Sequence, residues 1–161
     1  MPNAKTRQII ELLEKLDLLG GTSDKEGLAI TLNVKPRSVE NPLKAAEILG
    51  FVSVSENDVN LTEVGQKFLD GNPDERKATF RQQMIKIEPF TTISKALEKE
   101  ISREVVLRLV KAKIEATRKW KPSTDREMLR MIINWGTYSK LFEFDPKSQK
   151  LLPKGEVFRD S

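Results

Sequence analysis

Neither cysteine nor histidine occurs anywhere in the 161 residues. Their absence excludes a disulfide, a zinc site of the usual ligands, a His-ligated heme and any nucleophilic triad that relies on a histidine base. Aromatic residues are few, at 6%, and no apolar run approaches the roughly 20 residues that a membrane-spanning helix needs. The N-terminus starts with charge but holds no uninterrupted apolar signal core, so the expectation is a cytoplasmic protein without membrane insertion. A Gly-x-x-x-x-Gly-Lys-Ser/Thr phosphate loop is also missing. Gly20-Gly21-Thr22-Ser23 has neither the lysine nor the preceding strand that cradling a phosphate requires.

What the sequence does have is charge: 32% of the residues, with 28 basic and 24 acidic side chains for a net +4. Residues 1–72 carry 8 basic and 11 acidic groups, whereas residues 73–161 carry 20 and 13. The two halves therefore attract different partners, since a basic surface concentrates polyanions around itself. The length and the 38% hydrophobic content suit one soluble unit or two very small ones.

The spacing of apolar residues predicts helices joined by short hairpins. Ile9, Leu12, Leu13, Leu16 and Leu19 recur at helical spacing until Gly20-Gly21 ends the run. Ser23 with Glu26 matches a capping box, predicting a second helix that turns Leu28, Ile30 and Leu32 inward and stops at Asn33. Val39, Leu43, Ala46 and Leu49 mark a third helix, in which Pro42 is tolerable only in the first turn. Residues 51–54 and 58–61 alternate apolar and polar around Glu56-Asn57, as a hairpin should, and Thr62 caps a helix with Val64, Phe68 and Leu69. Three helices followed by a hairpin is the order of a winged helix.

The order repeats in the second half, although the residues do not. Asn72-Pro73-Asp74-Glu75 starts a helix with Phe80, Met84 and Ile87 inward until Pro89, and Phe90, Ile93 and Leu97 continue beyond it. Ser102 can cap a helix with Val106, Leu109, Val110 and Ile114 inside. Thr124 with Glu127 then opens a helix carrying Met128, Leu129, Ile132 and Trp135. Phe142-Glu143-Phe144, a turn at residues 145–148 and Leu151-Leu152 make a second hairpin. The expected fold is mainly α with two small β-hairpins, a tandem winged helix-turn-helix, with domains at residues 1–71 and 72–161.

Several strings also resemble a known family: Glu47-Ile48-Leu49-Gly50-Phe51, Leu61-Thr62 with Gly65, Glu75-Arg76-Lys77 with Phe80-Arg81, and Asn134-Trp135-Gly136 with Tyr138, Leu141-Phe142 and Asp145. Together they resemble the AAA-associated C-terminal domain over nearly the whole chain. The resemblance implies a winged-helix-like accessory domain, found alone or fused behind the ATPase of an ABC-type nitrate, sulfonate or taurine transporter. It implies no catalysis and no cofactor, and since the ATPase is absent here, any such link would run through a partner chain.

In a helix-turn-helix, outward residues near the start of the recognition helix meet base edges while surrounding cations hold phosphates. The helix after Thr124 sets Arg126, Arg130 and Asn134 at four-residue spacing away from its apolar face, and Arg and Asn are base-reading types. Arg118, Lys119 and Lys121, around Trp120, precede that helix. Lys147 and Lys150 lie on the second hairpin, with Lys154 and Arg159 beyond. The plainer alternative pairs Arg126 and Arg130 with nearby carboxylates. Secondary candidates are Lys35, Arg37, Ser38, Asn41 and Lys44 at the third helix, although Glu56 and Asp58 at the adjoining hairpin would repel phosphate. That acidic half suits a protein partner or a second copy of the chain.

Glu104, Arg108, Lys111, Glu115 and Arg118 form a stripe of both signs, read most simply as a solvated, ion-paired face. Glu98 and Glu100, two apart, diverge on a helix and make no acid–base pair. No clustered Asp and Glu spacing supports a magnesium site. The sequence thus points to a non-catalytic binder of double-stranded DNA, with transcriptional regulation as the leading role. The alternative is a module that docks onto an ATPase or ABC-transporter complex.

Overall fold

The computed structural model describes residues 2–97, 101–102, 104–106, 108–109 and 125–153. Among these residues the chain is mainly α-helical with two small antiparallel sheets of three strands each. It divides into two compact units, Pro2–Thr79 and a second that begins at Phe80. No helix among the described residues is long and apolar enough to cross a membrane.

The first unit is built on α1 (Thr6–Leu18), whose Ile9, Leu12, Leu13 and Leu16 are completely buried. The helix stops one residue before Leu19, which is its C-cap and lies 40% exposed. Gly20 and Gly21 follow in the left-handed region, at φ 88° and 86°, where a Cβ would be penalised. A strand not anticipated from the sequence comes next, β1 (Thr22–Asp24), and it displaces the expected helix start. Ser23 is paired opposite Val59 in the sheet, so Asp24 becomes the N-cap of α2 (Lys25–Leu32), its carboxylate accepting from the Gly27 amide at 2.6 Å. Ile30, expected inside, is 79% exposed. Leu28, Ile30 and Leu32 are spaced by two, which suits one face of a strand; on a helix the middle residue points away from the other two. Leu28 and Ala29 are buried instead, and Asn33 ends the helix as expected, in the left-handed conformation.

A 3-10 turn (Pro36–Val39) leads into α3 (Glu40–Ile48), with Pro42 in its first turn. Val39, Leu43, Ala46 and Leu49 all face the core. β2 (Val52–Ser55) and β3 (Asp58–Leu61) form the expected hairpin, with Val54 opposite Val59, and β3 is central in the order β1-β3-β2. Thr62 caps α4 (Glu63–Asp70) by accepting from the Gly65 amide at 3.0 Å while donating to the Gly50 carbonyl at 2.6 Å. Phe68 of α4 packs on Phe51 with ring centroids 5.0 Å apart. Asn72 and Glu75 cap α5 (Pro73–Met84) reciprocally, each side chain accepting from the other's amide.

In the second unit α5 ends at Met84, short of the expected Ile87, and α6 (Phe90–Ala96) follows a cis Glu88–Pro89 bond. β4 (Ile101–Ser102) is a second unanticipated strand; Ser102 both pairs with Lys150 and accepts from the Val105 amide at 3.4 Å. Residues 104–106 and 108–109 are helical, with Val106 buried; Val110, Ile114 and Thr124 lie outside the described residues. α7 (Asp125–Tyr138), β5 (Phe142–Asp145) and β6 (Lys150–Pro153) complete the unit. Its sheet order is β4-β6-β5, so in both units the last strand is central and a short strand just ahead of a helix closes the sheet.

Candidate nucleic-acid interface

α7 carries two faces of opposite character. Met128, Leu129, Ile132 and Trp135 are buried as their spacing requires, and Met131 joins them. Trp135 fixes the roll of the helix: its indole stacks on Phe90 at 5.7 Å and 10°, and takes the edge of Phe80 at 5.7 Å and 85°. Tyr138 meets Phe80 edge-on at 5.2 Å. One residue after the indole, Gly136 lets the Phe142 ring of β5 lie directly against the helix, where any Cβ would collide with it. Arg81 closes the far end by donating to the Ser139 carbonyl at 2.9 Å. Lys140 then turns the chain at φ 60°, and the Leu141 amide bonds back to Gly136.

With that face locked, Arg126 and Arg130 are exposed one helical turn apart in the first half of α7. Neither makes an ion pair or hydrogen bond among the described residues, so the carboxylate pairing weighed from the sequence does not occur there. Asn134, a turn further, is half-buried. The β5–β6 turn presents Lys147 in the open. Asp145 organises that turn, accepting from the Ser148 hydroxyl at 2.8 Å and the Lys147 amide at 3.0 Å. These two bonds, the hydroxyl first, hold the Asp145 carboxyl below the ordinary aspartate range. Gln149 at φ 57° completes the turn, its amide bonding to the Asp145 carbonyl. Lys150 is half-buried on β6. Arg118, Lys119, Lys121, Lys154 and Arg159 lie outside the described residues.

The first unit brings its candidates together differently. Lys35, Arg37, Ser38, Asn41 and Lys44 are all exposed, and Arg37, Asn41 and Lys44 line a groove of about 570 Å³ between α3, the start of α2 and the hairpin. Sequence reasoning missed the other walls: Lys25 and Glu26 from α2, and Val54 and Asn57 from the hairpin. The Asn57 side chain donates to Glu26 at 2.8 Å and pins the hairpin to α2 across 31 residues. That bond, followed by one from the Glu26 amide, lowers the Glu26 pKa. Glu40 and Glu47 line the same groove, so three carboxylates alternate with its three cations. Glu56 and Asp58 stand exposed beside it.

Residues 28–145 match a family model described as the C-terminal AAA-associated domain, a span that takes in α7, β5 and the groove except for Lys25 and Glu26. Comparisons with curated proteins and with solved structures found no match.

Proposed function

The chain belongs to the C-terminal AAA-associated domain family, and from that premise we propose that it is a non-catalytic, cytoplasmic winged-helix protein that binds double-stranded DNA through its second unit. The observation that carries this reading is the pair Arg126 and Arg130, exposed, uncommitted and one turn apart at the start of a helix whose opposite face is locked. Two like charges at that spacing repel each other weakly in water. A polyanion converts the repulsion into attraction, and each guanidinium has the fork that pairs with guanine in the major groove. Lys147 on the adjoining turn and the basic character of residues 73–161 add sequence-independent phosphate attraction. In each unit several helices lead into a hairpin that a third short strand joins, an order that supports the winged-helix assignment. Transcriptional regulation is the role such a module would serve.

Fluorescence anisotropy of a labelled random-sequence duplex at two salt concentrations tests it. Affinity should fall steeply with salt, since each neutralised phosphate releases counterions. Arg118→Ala or Lys119→Ala should weaken binding to all duplexes alike, whereas Arg126→Ala or Asn134→Ala should blur preference among them. Equal affinity of wild type and an Arg126→Ala, Arg130→Ala double variant would reject the recognition-helix assignment.

A second reading is favoured by the family's own description as AAA-associated: docking onto a partner chain that carries the ATPase. Absence of duplex binding at low salt, with a direct complex between this chain and an ATPase subunit, would favour it instead.

A further inference from the structure

The groove of the first unit carries an order of charge that the DNA reading does not use. Along α3 and the turn before it, Arg37, Glu40, Lys44 and Glu47 line the same groove at steps of three, four and three residues. That is one continuous stripe on a helical surface. All four are exposed, and none of their side chains has an ion pair or hydrogen bond among the described residues. Their signs run plus, minus, plus, minus. A polyanion laid on this face would meet Glu40 and Glu47, and a polycation would meet Arg37 and Lys44. Neighbours three and four apart ease one another by a few tenths of a kcal/mol at most, and a surface with the reverse alternation adds a partner to all four at once.

The stripe is its own complement. Residue 42 is the midpoint both of Glu40 with Lys44 and of Arg37 with Glu47, so turning the helix end over end about Pro42 sets every cation opposite a carboxylate. We propose that this face is a two-fold interface between two copies of the chain. α3 lies antiparallel to its mate there, with Arg37 facing Glu47 and Glu40 facing Lys44 in both directions. In such an isologous contact each pairing occurs twice, giving four ion pairs around the symmetry axis. Pro42 and Leu43, level with the midpoint of the stripe but turned to the core, are buried, so α3 is a firm base for the contact. The Glu26–Asn57 bond fixes the hairpin that forms the other wall of the groove. Exposed pairs of this kind are screened by salt, so the dimer forms at low ionic strength and comes apart as salt is added. The proposal does not depend on DNA binding by the second unit.

Sedimentation velocity of the full chain at low and high salt, with single charge reversals, tests it. Wild type should sediment as a dimer at low salt and as a monomer at high salt. Lys44→Glu alone and Glu40→Lys alone each set like charges opposite one another twice, and should weaken self-association at least about tenfold. An equimolar mixture of the two should associate, because each then presents the charges the other lacks, and the Glu40→Lys, Lys44→Glu double reversal should self-associate again. Circular dichroism of each variant separates loss of association from loss of fold, and Arg37→Glu mixed with Glu47→Lys repeats the test at the outer pair. A wild type that stays monomeric at low salt, a dimer indifferent to single reversals, or single variants that fail to associate when mixed would each overturn the proposal.

Discussion

Replacing Gly136 by alanine tests whether the fit between α7 and β5 sets the second unit. A Cβ at this position would fall within 2.7 Å of Phe142 Cε1 and nearer still to Cζ and Cε2. Phe142 is itself 1% exposed. One route of relief pushes α7 and β5 apart, which as overpacking costs about 1–3 kcal/mol. The other swings Phe142 out of the core, forfeiting up to about 3–5 kcal/mol of the kind measured when a buried phenylalanine is truncated. Against either stands the helix preference of alanine over glycine, about 1 kcal/mol in the opposite direction. The cheaper route governs, and a contact this close puts it at the upper end of its range, so the net expectation is a loss of about 2 kcal/mol. The assay is urea unfolding followed by Trp135 fluorescence in a Trp120→Phe background, which leaves a single indole, the one stacked on Phe90. Shortening the obstacle in a Gly136→Ala, Phe142→Leu double variant should make the two changes non-additive, with part of the loss recovered. Unchanged or raised stability for Gly136→Ala alone would refute the reasoning. It would mean that the helix and strand are held by something other than this contact, and that the outward aim of Arg126 and Arg130 has another cause.

Other consequences can be checked singly. Thr62→Val removes both the cap on the Gly65 amide and the bond to the Gly50 carbonyl, and should cost about 1–2 kcal/mol of first-unit stability by chemical denaturation. Asp24→Ala should cost about 1 kcal/mol there while Ser23→Ala costs far less, since the cap is Asp24 and not its neighbour; the opposite ranking would restore the start expected from the sequence. The Asp145 carboxyl titrates below its ordinary range because of the Ser148 hydroxyl and the Lys147 amide. A depressed native pKa stabilises the folded hairpin above the carboxylate's unfolded range, and that contribution is lost as pH falls through the lower native value. Carboxyl titration by NMR should therefore show Asp145 moving upward in Ser148→Ala, and no movement would break the assignment of the hydroxyl as the main cause.

Long helices and tight hairpins were readable because their signals are local. Four of α1's leucines and isoleucines repeat within two turns, and Val52 to Leu61 alternates around a two-residue turn, so each element declares itself within a dozen residues. The strands that were missed are two and three residues long, too short to show a period, and exist only by pairing: Ser23 with Val59, and Ile101 with Leu151. Read locally, Ser23 looks like a cap; only the distant strand reveals it as part of a sheet. The groove was hidden for the same reason, since Glu26 and Asn57 meet across the first unit.

Net charge by halves was legible from composition, yet it does not distinguish a surface that attracts DNA from one that attracts a copy of the chain. The order of sign along a single helical face does. On α7, Arg126 and Arg130 stand one turn apart with the same sign and no carboxylate bonded to them among the described residues, an arrangement that is unfavourable alone and relieved by an anion from outside. On α3, Arg37, Glu40, Lys44 and Glu47 alternate, so neither a polyanion nor a polycation gains from the whole stripe, while the same stripe reversed pairs with all of it. Under the two proposals, two helices with similar numbers of exposed cations take different partners. The two salt titrations separate them: charge reversal at Lys44 should leave duplex affinity per protomer close to wild type, and loss of Arg126 and Arg130 should leave self-association intact. If both properties fell together with either change, the assignment of separate partners to the two faces would be wrong.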